Sequence, residues 1–286
     1  MVMTATDTTN ASTFMQDLWS KLTADSREEN LLFSGLLDRR YEEEAGAQPY
    51  DVINIQSVGN FTVGATLSAG GSLTHAAATY NAQVVLTIDT HAYRSFDIET
   101  EFELMSNINQ MEKLSHKAVY AVALKVDDDA AGLVDDFSQT VGVLAVALSF
   151  DDVLKAKRIL DDAIAPEDSR YFVMAPLQQS EFMKDERVIN NSYAKSVGSI
   201  ENGAGRGKFA HIAGFDWYMT GNVEGSNAAG HDNGFWQKEA AALAIIDNMR
   251  TVSMYEIDTD STKVAVHSIY GLKEIRDDHG VWGKGS

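Results

Sequence analysis

The chain is 286 residues long and 44% hydrophobic, enough to bury a substantial core in one large domain or two moderate ones, and inconsistent with wholesale disorder. Acidic residues outnumber basic ones 42 to 23, a net charge of −19 that repels nucleic-acid backbones and anionic membranes and excludes a DNA reader with a broad basic face. The absence of cysteine removes disulfides, thiolate metal sites and cysteine nucleophiles together.

The opening stretch MVMTATDTTNASTF has neither a basic nor an apolar leader region. No run of about eighteen apolar residues follows it. A protein that spans no membrane and stays in the compartment where it is made is expected. Phe14, Leu18, Trp19 and Leu22 recur at helical spacing, and Leu31, Leu32, Leu36 and Leu37 precede the charged run Arg39 to Glu44. Neither stretch carries enough apolar surface to fold alone, so an N-terminal arm that packs on something else is expected, closed by Gly46 and Pro49.

Alternation in Val52-Ile53-Asn54-Ile55 and in Val84 to Ile88 predicts two strands flanking a span that contains Gly59, Gly64, Gly70 and Gly71. That is a long hairpin with few large apolar side chains, which must find its partner elsewhere. Asp97 offers an N-cap with Glu101 in the first turn, and about thirty residues without Gly or Pro follow. The stripe Phe102, Met105, Ile108, Met111, Leu114, Ala118 and Val122 predicts one helix about 40 Å long.

Asp127 to Gly142 reads as a turn region, and Ser149 with Asp152 as the capping box of a helix ending before Pro166, with Val153, Ala156, Leu160 and Ala163 on one face. Next come a strand from Arg170 stopped by Pro176, a short helix from Leu177 that contains Phe182, and a strand over Ile212 to Met219. An alanine-rich helix is predicted over Phe235 to Met249, capped by Asp232 or Asn233. Strands over Lys263 to Ile269 and Leu272 to Ile275, broken at Gly271, lead to a short loose tail around Gly280.

Evidence of catalysis is thin. The stretch NGAGRGKFAHIAG, residues 202 to 214, has the glycines of a phosphate-binding loop but carries Asn202 where that loop needs Gly and Phe209 where it needs Ser or Thr. The seven histidines form no H-E-x-x-H, His231-Asp232 reads as a surface pair beside a helix cap, and no G-x-S-x-G elbow occurs. Glu42 to Glu44, Asp127 to Asp129 and Asp277-Asp278 have no calcium-loop pattern around them. No catalytic residue, metal site or cofactor is assigned, and the balance favours a structural or assembly protein.

The order of elements resembles the major capsid protein of tailed double-stranded DNA viruses, the Hong Kong 97-like fold. The match is strongest in FDDVLKAKRILDDAIAP, SRYFVMAPLQQSEFMKDER and IAGFDWYMTGN, with Arg170, Val173 and Pro176 in an Arg-x-x-V-x-x-P strand end, and again in AVHSIYGLKEIRDDHGV. The resemblance implies an α+β fold with an N-terminal arm (1–52), an E-loop (53–94), a P-domain spine helix (95–129), an A-domain (130–252) and C-terminal strands returning to the P-domain (253–286).

It further implies hexamers and pentamers in an icosahedral shell around double-stranded DNA held only in loose, non-specific proximity. The location is the virion, after assembly in the host cytoplasm. The implied partners are a separate scaffolding protein, a portal and a decoration protein. Assembly contacts are expected at Gly70, Gly71, Leu73 and Arg94 of the E-loop, and at Gly203, Gly205, Arg206 and Lys208 of the A-domain loop. The E-loop has no lysine, so the lysine–asparagine crosslink of some relatives is not expected there. Two alternatives stand beside this reading: an encapsulin-type nanocompartment shell and a phosphate-binding α/β enzyme.

Overall fold

The computed structural model describes residues 31–43, 52–56, 71–72, 83–100, 110–189, 208–226 and 228–285. Its architecture is mixed α+β, as expected. The expected helix of Phe14, Leu18, Trp19 and Leu22, the closing pair Gly46 and Pro49, most of the hairpin tip, and the Glu101 to Ile108 part of the helical stripe lie outside these residues.

Strands β1 (Val52–Ile55) and β2 (Val84–Thr87) pair antiparallel, from Val52 opposite Thr87 to Ile55 opposite Val84. Beyond them the chain enters β3 (Thr90–Glu99) rather than a helix. Asp97 is therefore no N-cap; it pairs in register with Lys263. The reason is legible afterwards: Ala92 and Ile98 fall on one side of an alternating THAYRSFDIE segment, and a long strand lies alongside to complete the ladder.

The long helix is described as α2 (Gln110–Ala131), after α1 (Phe33–Leu36). Ala118, Val122, Val126 and Ala130, four residues apart, form its buried face. Asp127 to Asp129 are helical rather than in a turn. Asp127 is fully buried because its carboxylate accepts the amides of Leu32 (3.3 Å) and Ser34 (2.9 Å) and the side-chain amide of Asn222 (3.0 Å). Those bonds satisfy the start of α1 and seat Phe33 against Trp236, ring centroids 5.8 Å apart.

A seven-stranded sheet forms the body. It contains β4 (Thr140–Gly142), β5 (Arg170–Met174), β6 (Lys208–Ile212), β7 (Phe215–Met219), β8 (Gly225–Ser226), β9 (Gly230–Gln237) and β12 (Gly280–Gly285), in the order β4-β12-β9-β5-β7-β6 with β8 on β9. The predicted single strand over Ile212 to Met219 is two strands around a tight turn, with φ of 57° at Ala213 and 83° at Gly214. The expected loose tail at Gly280 is an interior strand, parallel to β4 and antiparallel to β9.

Alternation sends Phe172, Met174, Trp217, Phe235 and Val281 to a core shared with helix α3 (Phe150–Asp162), and Val173 and Trp236 to the core shared with α2. The predicted capping box is present: Asp152 accepts from the Ser149 amide at 3.1 Å and hydroxyl at 2.7 Å. Val153, Ala156 and Leu160 face inward as predicted. The Arg-x-x-V-x-x-P pattern acquires a physical meaning. Buried Arg170 donates to the carbonyls of Ala165 (2.7 Å) and Pro166 (2.8 Å) and pairs with Asp161 (2.6 Å), closing the end of α3. Val173 fills the core, and Pro176 opens helix α4 (Pro176–Phe182) at a position that needs no amide. Helix α5 (Glu186–Ile189) follows.

The predicted helix over Phe235 to Met249 is not formed. The segment finishes β9, makes one 3₁₀ turn and runs into β10 (Ala241–Glu256). Ala240 to Ala244 are at most 1% exposed, because Ala241 and Leu243 enter the main core while Ala242 and Ala244 meet Ile53, Leu86 and Ile88 beneath β1 and β2. A run buried on both sides reads apolar throughout and hides its period. β10 pairs with β11 (Ser261–Glu274), and β11 pairs with β3. β11 does not break at Gly271. A Cβ there would sit 2.3 Å from the Thr87 carbonyl oxygen, so the glycine marks a close crossing of β2.

Candidate assembly surface

The three-stranded sheet β10-β11-β3 has one satisfied face. Ala92, Val266 and Tyr270 point at α2, with the Tyr270 hydroxyl donating to Asp129 at 2.5 Å. On the opposite face Ser95, Asp97, Arg250, Val252, Met254 and Lys263 line a shallow concavity of about 710 Å³. Beyond it the β10–β11 ribbon ends in Met254, Tyr255 and Ile257, which are 64%, 54% and 82% exposed.

This apolar tip is held in place. Tyr255 donates to Asp260 at 2.5 Å, and the Thr100 hydroxyl donates to the Asp260 carbonyl and carboxylate at 2.9 and 3.0 Å. The Tyr255 and Thr100 bonds stabilise the Asp260 anion and draw its pKa below the ordinary value. Lys263 pairs with Glu256 across the ribbon. Apolar surface on a pre-ordered element loses less entropy on association than the same surface on a loose loop.

A second exposed apolar patch is the turn after β4. Val143 and Val146 are 66% and 58% exposed around Ala145 at φ 62°. The turn is anchored where buried Gln178 accepts from the Leu148 amide (2.8 Å) and donates to the Leu148 carbonyl (2.9 Å).

The third feature is a cleft of about 620 Å³ lined by Asp128, Asp129, Asp136, Asn222 and Glu224. Burial, and then the charge of nearby carboxylates, raises the pKa of Glu224; burial also raises Asp128. Such a cleft repels phosphate. Among the described residues no group of three or more acidic, histidine or cysteine side chains is placed to hold a metal ion. Asp232, adjacent to His231, sits in β9 and accepts the Trp282 indole N–H at 2.8 Å. His211 pairs with its cross-strand neighbour Asp216 at 2.6 Å.

Of the expected contact residues, Gly70, Leu73, Gly203, Gly205 and Arg206 lie outside the described residues. Gly71 is exposed and in no element, Arg94 is exposed in β3, and Lys208 opens β6 opposite Tyr218. Arg94 and Lys208 thus lie in different sheets. The exposed apolar sets were missed from sequence. The signal for one of them was there: Val143, Leu144 and Val146 form an apolar run immediately before a helix cap, with no periodicity to bury it.

No protein-family model and no curated protein matches the chain. Solved structures do. A chain of Mycobacterium phage Che8 superposes with a TM-score of 0.77 at 19% identity, over 95% of this chain and 97% of that one. A chain of the capsid of cyanophage P-SCSP1u gives 0.76 at 15% identity, over 97% and 94%. A chain of the bacteriophage PhiM1 mature capsid gives 0.69 at 13%, over 94% and 91%. Over nearly its whole length, the chain has the fold of phage capsid chains.

Proposed function

We propose that the chain is the major capsid protein of a tailed double-stranded DNA virus and assembles as hexamers and pentamers into an icosahedral shell. The observation that carries this reading is the end-to-end superposition on phage capsid chains, at a TM-score of 0.76 over 97% of the chain for the cyanophage capsid. A fold shared over nearly the full length rests on the whole chain and not on one motif. The ordered, exposed apolar residues of the ribbon tip and of the β4 turn suit a subunit whose remaining burial comes from its neighbours.

In this reading residues 1–52 are the N-terminal arm, 53–94 the E-loop, and 95–129 the P-domain with its spine helix. The A-domain spans 130–252 by sequence, and β12 (Gly280–Gly285) belongs with it by sheet membership. By the same criterion β10 (Ala241–Glu256), most of which falls within 130–252, goes with β3 and β11 in the three-stranded sheet beside the spine helix. Contacts between copies involve Gly70, Gly71, Leu73 and Arg94, and Gly203, Gly205, Arg206 and Lys208. A separate scaffolding protein, a portal and a decoration protein are the expected partners. A net charge of −19 suits a wall along which packaged DNA slides, separated from it by counterions.

Electron microscopy and sedimentation of the chain, expressed with and without its neighbouring genes at low and high salt, test the proposal. Closed icosahedral particles or capsomers are the expected result. A monomer under every condition overturns it, and shells filled with an enzyme rather than DNA would make it a nanocompartment.

A further inference from the structure

Two histidines on the open face of the three-stranded sheet have no part in the reading above. His91 of β3 and His267 of β11 approach with Nε2 and Nδ1 3.2 Å apart and ring centroids 5.3 Å apart. Strand pairing sets this approach: Tyr93 is the register partner of His267, and His91 lies two residues along the same face of β3. Neither ring pairs with a carboxylate among the described residues, whereas His211 is taken by Asp216 at 2.6 Å. Two imidazole nitrogens bound to one tetrahedral ion, each at about 2.05 Å, stand about 3.3 Å apart. The observed separation is 3.2 Å. The net charge of −19 enriches cations around the chain.

We propose that His91 and His267 form a two-imidazole site for a single borderline divalent transition-metal ion of the zinc or nickel type. His91 Nε2 and His267 Nδ1 are the ligands, and water completes the coordination. In the metal-free chain these nitrogens share one hydrogen bond. Binding therefore requires the donating ring to shift its proton to its other nitrogen, with no net proton release when both rings are neutral. Arg250 is the register partner of His267 and its guanidinium lies 3.9 Å from Asp247, so the charged neighbours on β10 are an arginine and the carboxylate that offsets it. An open site with two protein ligands belongs in the micromolar range rather than the nanomolar. Its consequence would be to clamp β3 to β11. The inference does not rest on the proposed function.

The test uses the full chain without a histidine tag. Zinc is titrated by calorimetry at pH 7.5, and cobalt absorption reports ligand type. One ion per chain is expected, with at least tenfold weaker binding in His91→Ala and in His267→Ala, and unchanged binding in His211→Ala. His91→Gln, which keeps the side chain polar and of similar size, gives the same loss if circular dichroism shows the fold intact. Binding that survives in the double variant, or no binding to the wild-type chain at millimolar zinc, overturns the proposal.

Discussion

The seven-stranded and three-stranded sheets use similar residues and reach opposite states. In the first, Phe172, Val173, Met174, Phe235 and Trp236 are at most 1% exposed, because α3 and its neighbours cover one face while α2 covers the other. In the second, α2 covers one face only, and the ribbon extends past it into solvent with Met254 and Ile257 outermost. At about 25 cal/mol per Å² of apolar surface, the first region draws its stability from within the chain. The second leaves apolar side chains such as Met254 and Ile257 exposed. One chain thus holds a body covered on both faces and an extension covered on one.

The largest blow to the body is Trp217→Ala. This fully buried indole donates to the Ile212 carbonyl at 3.1 Å and meets Phe172 and Phe182 edge-on at 5.1 and 5.0 Å. A loss of about 3–5 kcal/mol in urea unfolding is expected; under 1 kcal/mol would contradict a body stabilised by that core. Next is Gly271→Ala, where the new methyl collides with the Thr87 carbonyl. It should cost about 1–3 kcal/mol and speed amide exchange in β1 and β2 before the body is affected.

Asp127→Ala leaves the amides of Leu32 and Ser34 without their acceptor. About 1–3 kcal/mol is expected, with hydrogen exchange rising first at those two amides. If exchange rises uniformly instead, α1 is not a separable strap.

The pH dependence is smaller. Burial, then the charge of Asp277, a hydrogen bond with Asp277 and the charge of Asp136, push Glu274 up to about 7. Its folded value lies above its ordinary value, so the folded state holds the proton that the unfolded state releases. Its contribution is complete at acid pH and is lost as pH rises through 7. Stability should fall by about 1 kcal/mol between pH 5.5 and 8, after allowance for solvent screening of a half-buried group. Glu274→Gln should flatten that difference in thermal melts.

The smallest effect on the chain alone sharpens the comparison most. Ile257→Ser, like Met254→Ser, should change unfolding by no more than about 0.5 kcal/mol, yet reduce particle yield by light scattering and microscopy if the tip meets a neighbour. Destabilisation of the isolated chain by several kcal/mol would show the tip to be packed within it.

What could be read from the sequence was local. The Ser149–Asp152 box, the inward stripe of α3, the end of β5 before Pro176 and the strands at Val52 and Val84 each depend on partners a few residues away, or on a period of two or 3.6. The misreadings share one cause. Alanine favours helix in an isolated segment, but Ala241 to Ala244 lie along β11 with packed surfaces on both sides. Asp97 looked like a cap because its ladder partner, Lys263, is 166 positions away in the chain, as the numbering shows.

The surface was less legible still. Exposure of Val143, Met254 and Ile257, and the meeting of His91 with His267, depend on which elements cover which faces.

By itself the sequence determined class, charge, the capped helix, the strands at Val52, Val84 and Lys263 and the lack of a recognisable catalytic pattern. Order, spacing and a few motifs also pointed to the capsid fold. Tertiary structure decided where β10 and β12 lie, what Asp127 holds and which apolar residues remain outside. Short-range preferences amount to a few tenths of a kcal/mol per residue, whereas burying an apolar side chain is worth about 1.5–3 kcal/mol. Where the two conflict, burial prevails, and only the assembled fold shows what is buried.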